Sequence, residues 1–154
     1  MITFKPHSRE EIPLRIKWLN NRLANKYAIE DPDHSTDLKE QTKWFNDLEN
    51  NPAKKFFTIF SGNEPIGFMG LSRIDQPKGT GELFIMIGED AYRGKGIGKI
   101  SMKYLIDYAC KELKLNKILL EVNKNNSSAI SLYKSLGFKE NKPIGDEIEM
   151  ELSL

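Results

Sequence analysis

Three glycines at alternate positions, Gly94, Gly96 and Gly98, interleave with Arg93, Lys95 and Lys99. Glycine has no Cβ, so a backbone built this way can approach a ligand closely. An apolar run, residues 82–87, precedes the glycines, and an amphipathic stretch follows them. The loop therefore opens a helix, whose first N–H groups lack intrahelical acceptors and whose dipole presents its positive end. Backbone donors, a helix start and three cations within seven residues suit the binding of a phosphate. Two familiar glycine patterns fail. The dinucleotide fingerprint, started at Gly94, requires a glycine where Lys99 stands, and the P-loop requires Ser or Thr after its lysine, where this chain has Ile100. The glycines alone leave open a plain tight turn with a glycine-rich cap.

The elements around this loop follow from hydrophobic periodicity. Residues 2–5 alternate and predict a short strand. Ser8 and Glu11 have capping-box spacing, and Ile12, Ile16, Leu19 and Leu23 follow at near-helical intervals, with Pro13 near the start, where its missing N–H costs least. Residues 25–36 are polar, contain Pro32 and predict a loop. Thr36 is the expected N-cap of a second helix reaching about Asn50, with Leu38, Phe45 and Leu48 as its stripe. The period then changes. Lys55–Ser61 and 66–74 predict a hairpin across Gly62-Asn63-Glu64-Pro65. Residues 82–87 predict a strand buried on both faces. A helix over 97–112 carries Ile97, Ile100, Tyr104, Leu105, Tyr108 and Ala109 on one side, with Cys110 expected as a small packed side chain. Lys117–Asn123 predicts a strand, 127–136 a short helix ended by Gly137, and 138–154 two further strands. The order β-α-α-β-β-β-α-β-α-β-β predicts one mixed α/β (α+β) domain over 1–154, antiparallel at first and then crossing over in a βαβ unit.

One further pattern does fit the loop: Arg/Gln-x-x-Gly-x-Gly, met by Arg93, Gly96 and Gly98. It resembles the coenzyme A pyrophosphate loop of the GNAT N-acetyltransferase superfamily. Downstream, Leu120-Glu121-Val122 and then Asn126-x-x-Ala129-x-x-x-Tyr133-x-x-x-Gly137-Phe138 look like the second half of that superfamily's acetyl-CoA site. The spacing from Glu121 to Asn126 to Tyr133 is similar to that of the ribosomal-protein alanine acetyltransferases. The resemblance is strongest over residues 81–138. It implies a mixed central sheet of about six to seven strands with about four helices on both faces, and acetyl-CoA as acetyl donor, bound by Arg93, Gly94, Lys95, Gly96, Ile97, Gly98 and Lys99.

Acetyl transfer from a thioester to an amine needs a held pyrophosphate, a polarised carbonyl, a deprotonated amine and a proton for the departing thiolate. The resemblance assigns the carbonyl to backbone N–H groups of Ile85, Met86 and Ile87, on a strand that splays from its neighbour; one such donor is worth roughly 2.7–4 kcal/mol of barrier. Glu121 is the first candidate base, because in Lys117–Asn123 it shares a face with Leu119 and Asn123, opposite Ile118, Leu120 and Val122. A surface pairing with lysine is its plain structural reading. Glu82, at the start of the other central strand, is the rival base. Tyr133 is the candidate acid by motif position and a core aromatic by periodicity. Asn126 is implied at the pantetheine arm and also suits a helix cap.

Composition narrows the class. The 154 residues carry 23 basic and 22 acidic side chains, a net charge near +1 that argues against a nucleic-acid binder. Of the basic residues 18 are Lys and 5 are Arg, so an anion site here leans on backbone and lysine. Cys110 alone cannot form an internal disulfide, and His7 and His34 lie far apart, so no metal site is expected. No stretch is long and apolar enough for a membrane span, and the N-terminus lacks a signal-peptide pattern. A cytoplasmic protein is expected. The reading is an N-acetyltransferase acting directly, through a ternary complex, on the primary amine of a small molecule such as an amino sugar. A protein or peptide N-terminus and a non-catalytic coenzyme A-binding module are the alternatives. Family analogy implies a homodimer. Substrate choice falls to residues 10–50, with Trp18, Trp44, Phe45 and the acidic Glu30, Asp31, Asp33 and Asp37, and to 139–154.

Overall fold

A computed structural model describes residues 1–26 and 35–154. Seven strands form one sheet: β1 (Ile2–Pro6), β2 (Lys55–Ser61), β3 (Glu64–Asp75), β4 (Thr80–Ile87), β5 (Lys117–Asn123), β6 (Lys139–Ile144) and β7 (Glu147–Ser153). Their order is β1-β2-β3-β4-β5-β7-β6, and every pairing is antiparallel except that of β4 with β5. The helices are α1 (Ile12–Asn20), α2 (Arg22–Asn25), α3 (Leu38–Asn50), α4 (Ile97–Lys111) and α5 (Ser127–Ser135). The expected mixed sheet is the fold observed, with five helices among the described residues where about four were expected. Among the described residues no helix is long and apolar enough to cross a membrane.

Alternation along the strands sorts the side chains into two layers. Ile118, Leu120 and Val122 of β5 join Leu83, Met69, Leu71 and the inner face of α4 in the larger core. Phe84 and Met86 of β4 turn the other way, where Phe68 and Trp18 of α1 form a second, aromatic layer. β3 is the strand buried on both faces, continuously from Ile66 to Leu71, whereas β4 alternates between buried and half-buried positions.

The reason lies in the one parallel pairing. β4 and β5 are in register only at Thr80 with Lys117, Gly81 with Ile118 and Glu82 with Leu119, while β5 stays paired with β7 along its whole length. Beyond Glu82 the two central strands diverge and the sheet opens. The sequence implied this splay only through the family resemblance.

Several local expectations change. Ser8 makes no side-chain cap; a single 3-10 turn over Arg9–Glu11 leads into α1 instead, and Glu11 accepts a hydrogen bond from Thr58 Oγ1 at 3.3 Å. The first helix breaks at Asn21, whose side chain caps α2, and Leu23 is 72% exposed rather than on the buried stripe. Asp37, not Thr36, caps α3 by accepting from the Glu40 amide at 2.9 Å, and this leaves Leu38 in the first turn, 64% exposed. Ile100 is exposed and Tyr104 lies at the rim of α4, which buries Ile97, Ser101, Met102, Leu105 and Ala109. Tyr104 stacks on Phe4 with ring centroids 4.4 Å apart. Cys110 is exposed, not packed, because it falls one position past the buried Ala109. Gly137 takes the left-handed conformation (φ +99°) directly after α5, as its helix-ending role requires.

Candidate active site

The chain leaves β4 at Ile87, makes a 3-10 turn over Asp90–Tyr92 and enters α4 through Arg93–Gly96. Gly94 (φ +74°) and Gly96 (φ +78°) are both left-handed, and a Cβ at either would meet nothing within 4 Å. Packing therefore does not demand these glycines; the backbone turn does, and it leaves their outer side open to a ligand. Gly96 is the N-cap of α4 without any side-chain cap, so the first amides of the helix have no hydrogen-bond partner among the described residues. Arg93 is anchored rather than free. Its Nη1 donates to the Ile87 carbonyl at 2.7 Å and its guanidinium pairs with the Asp90 carboxylate, tying the loop to the end of β4. Arg93 thus sets the loop, and Lys99 is an exposed cation on the cleft wall.

From this loop a cleft of about 670 Å³ runs between the diverging strands. Its walls are Leu83–Ile87 of β4, Leu120–Val122 of β5, the start of α4, and Asn126, Ala129 and Tyr133 beside α5. The fold brings nearly every candidate cofactor residue to this one cleft. Lys95 is exposed and lies outside the wall.

The amides in the cleft follow from strand register. Gly88 N–H donates to the Ile66 carbonyl at 2.8 Å. In an antiparallel ladder alternate residues turn to the same neighbour, so Met86 and Phe84 pair with β3. The amides of Ile85 and Ile87 face the side that β5 has vacated. The side chains behave as expected: Met86 is buried in the aromatic layer, and Ile85 and Ile87 pack on the larger core.

Tyr133 is half-buried in this cleft, 6.0 Å from the Phe138 ring, and its hydroxyl has no hydrogen-bond partner among the described residues. Burial pushes its phenol up to about 12, so it is protonated at neutral pH. Asn126 caps α5, its Oδ1 accepting from the Ala129 amide at 3.3 Å, and still lines the cleft. Both roles suggested for it are geometrically compatible.

A second cleft, about 570 Å³, lies on the other side of the opening and shares Leu83, Phe84 and Glu121 with the first. Glu82, Glu121 and Glu147 line one part of it, and Arg15, Trp44, Phe56 and Phe68 another. Glu121 thus sits where the clefts meet, and Glu82 lines the second cleft one position before the shared Leu83. Glu82 is half-buried, and burial raises its carboxyl above the usual range; Arg73, whose Nη1 donates to it at 3.2 Å, opposes this, and the charges of Glu121 and Glu149 add to it. Glu121 is exposed to the clefts and stands opposite Glu149 in the β5–β7 ladder. Trp18 and Phe45 are buried, so they are structural, while Trp44 reaches the second cleft. Glu30, Asp31, Asp33 and His34 lie outside the described residues.

Sequence reasoning passed over Arg15 and weighed His7 only as a metal ligand. The signal for Arg15 was present: Ile12, Arg15 and Trp18 recur every three residues and form the buried side of α1, so a charged residue occupies the apolar stripe. Among the described residues no group of His, Cys, Asp and Glu could hold a metal ion.

A family model described as "Acetyltransferase (GNAT) family" matches residues 16–138. Spermidine N(1)-acetyltransferase of Escherichia coli K12 is 27% identical over 137 residues, 89% of this chain and 72% of that protein. Acetyltransferase PseH of Campylobacter jejuni is 27% identical over 135 residues, 88% of this chain and 81% of its own length. The crystal structure of spermidine N-acetyltransferase from Vibrio cholerae in complex with CoA and spermine superimposes with a TM-score of 0.88 at 24% identity, covering 99% of this chain and 95% of the other. At that identity the superposition speaks for the fold.

Proposed function

The chain belongs to the acetyltransferase (GNAT) family, an acyltransferase family that uses acetyl-CoA, and from that premise we propose that residues 1–154 work as one catalytic domain that acetylates the primary amine of a small molecule. The observation that carries this reading is the divergence of β4 and β5 beyond Glu82, which joins a loop-headed cleft to a carboxylate-lined one. The first cleft suits the acetyl donor. Open glycines at Gly94 and Gly96 and the unpaired amides at the start of α4 would hold its pyrophosphate, with Lys99 at the rim and Asn126 along the arm. The donor supplies an acetyl thioester, whose carbonyl carbon gains the bond to the amine nitrogen as the bond to sulfur breaks.

The chain's own groups meet the remaining needs. Ile85 and Ile87 amides, fixed by the β3 ladder, donate to the carbonyl oxygen as it gains charge and need not reorganise to do so. Glu82 takes the proton from the amine, directly or through water. It lines the second cleft beside the shared Leu83, and its raised carboxyl brings it nearer to neutrality than an ordinary glutamate. Glu121, beside it, keeps the local field negative and favours a cationic amine in the cleft. Tyr133, held protonated by burial, gives its proton or a hydrogen bond to the leaving sulfur. The second cleft has the size of a small-molecule site.

The test is thiol release from acetyl-CoA with purified protein across spermidine, cadaverine, lysine, glucosamine, glucosamine 6-phosphate and an N-terminal peptide. Turnover with a small amine is expected. Binding of acetyl-CoA without acetylation of any amine would overturn the proposal in favour of a non-catalytic coenzyme A-binding module.

A further inference from the structure

Arg15 is 3% exposed, yet no carboxylate among the described residues pairs with it. Its guanidinium lies 3.7 Å from the Trp44 ring centroid and 4.3 Å from that of Phe68. Its Nε donates to Gln41 Oε1 at 2.9 Å, and its Nη1 donates to His7 Nε2 at 3.2 Å. A guanidinium has five N–H donors, and these two bonds leave one on Nη1 and both on Nη2 without an acceptor in the described protein. Those donors are not sealed in the core, because Arg15 lines the second cleft.

The surroundings hold this group in place rather than neutralise it. His7 must accept from Arg15 through Nε2, so its proton is on Nδ1 and goes to Thr58 Oγ1 at 2.7 Å, and Thr58 in turn donates to Glu11. Gln41 is fixed from behind, its Nε2 donating to Thr36 Oγ1 at 2.9 Å. Arg15 stays cationic at neutral pH, because burial lowers it only to about 9. The other lining cations differ. Lys54 is bound to Asp47 at 2.8 Å and Arg73 to Glu82. A buried cation, clamped by two rings and two hydrogen bonds, with open N–H groups facing a cleft, has the geometry of an oxyanion receptor.

We propose that Arg15 determines acceptor specificity: it receives an oxyanion, carboxylate or phosphate, carried by the same molecule whose amine faces Glu82 and Glu121. This inference rests on the second cleft being the acceptor site. It separates the chain from enzymes whose acceptor is a pure polycation, for which an unpaired buried cation would be a repulsive neighbour.

The experiment uses pairs of amines that differ by the oxyanion. Lysine against cadaverine reports a carboxylate, and glucosamine 6-phosphate against glucosamine a phosphate. In at least one pair the oxyanion-bearing member should have a kcat/KM at least about tenfold above its partner, the scale of one charge-assisted hydrogen bond. Arg15→Met, which keeps bulk under Trp44 and removes charge, should bring that pair within about twofold, chiefly through KM, and Arg15→Lys should restore part of the preference. Circular dichroism and thermal melting confirm that each variant folds; if Arg15→Met does not, Arg15→Lys and the wild-type ratios still decide. No preference for the oxyanion in either pair, or a preference that survives removal of the charge, overturns the assignment. Acetylation of spermidine or cadaverine without such a preference refutes the role of Arg15 alone, whereas no thiol release with any amine refutes acetyl transfer itself.

Discussion

Acidification from pH 7 to pH 5 should cost the fold about 2 kcal/mol through His7 alone. His7 is 8% exposed and is held between Thr58 and Arg15. Burial, and then the Arg15 charge, lower its imidazole to about 3. In the unfolded chain a histidine titrates near 6.5. Between these values the unfolded state binds a proton that the folded state refuses, so stability falls as pH falls, by about 1.4 kcal/mol per pH unit. From 6.5 down to 5 this amounts to about 2 kcal/mol, and it holds for any folded value below about 4. The assay is urea denaturation of wild type and His7→Gln at both pH values. Glutamine can still accept from Arg15 and donate to Thr58, but it does not titrate. The variant should be less stable at pH 7, because it packs less well, yet lose about 2 kcal/mol less than wild type on going to pH 5. The other ionisable groups are common to both proteins and cancel in the comparison. Equal losses in the two proteins would refute the buried, neutral imidazole and with it the tautomer that orients Arg15.

Three further expectations concern the reaction. Because burial and neighbouring carboxylates raise Glu82, and a base must be deprotonated to act, kcat/KM should climb with pH through a value above the ordinary carboxylate range. Glu82→Gln should remove that limb and lower kcat by about 10²–10⁴-fold, while Glu121→Gln should move the limb to lower pH by removing a like charge; full activity in both would refute a carboxylate base. Tyr133→Phe should reduce kcat more than it raises the KM for acetyl-CoA, and an unchanged kcat in steady-state assays would remove the hydroxyl from the mechanism. Gly96→Ala forces a Cβ into a left-handed turn in open space, at a cost of about 1–2 kcal/mol. Its acetyl-CoA Kd, read by calorimetry, should weaken, whereas Gly62→Ala, equally left-handed and open but in the β2–β3 turn, should spend its cost on stability and leave that Kd unchanged.

What could be read along the chain was whatever neighbouring residues settle among themselves. Apolar alternation placed β5 at Lys117–Asn123, Gly137 marked the end of α5, and the spacing of Arg93, Gly96 and Gly98 located the loop. Capping failed where two neighbours compete for one role: Thr36 and Asp37 both suit an N-cap, and Asp37 takes it while Thr36 turns to Gln41. Helix sidedness failed at Ile100 and Tyr104, because an apolar side chain at the flank of a helix stripe can lie at the rim as well as in the core.

The sequence by itself determined that the chain alternates strands and helices around a phosphate-suited loop, and that Glu82, Glu121, Asn126 and Tyr133 lie on elements flanking it. Those features are local: they depend on side-chain period, on glycine's access to positive φ, and on unpaired amides at a helix start. Only the tertiary structure decided that β4 and β5 part after three residue pairs, because divergence depends on partners that β3 and β7 hold elsewhere in the sheet. It alone assembled the second cleft. Arg15 meets Gln41 across 26 positions, and His7 meets Thr58 across 51, contacts that no short-range pattern encodes. A lone arginine in an apolar stripe reads as an irregularity along the chain; in the fold it is a clamped cation whose open donors face the cleft.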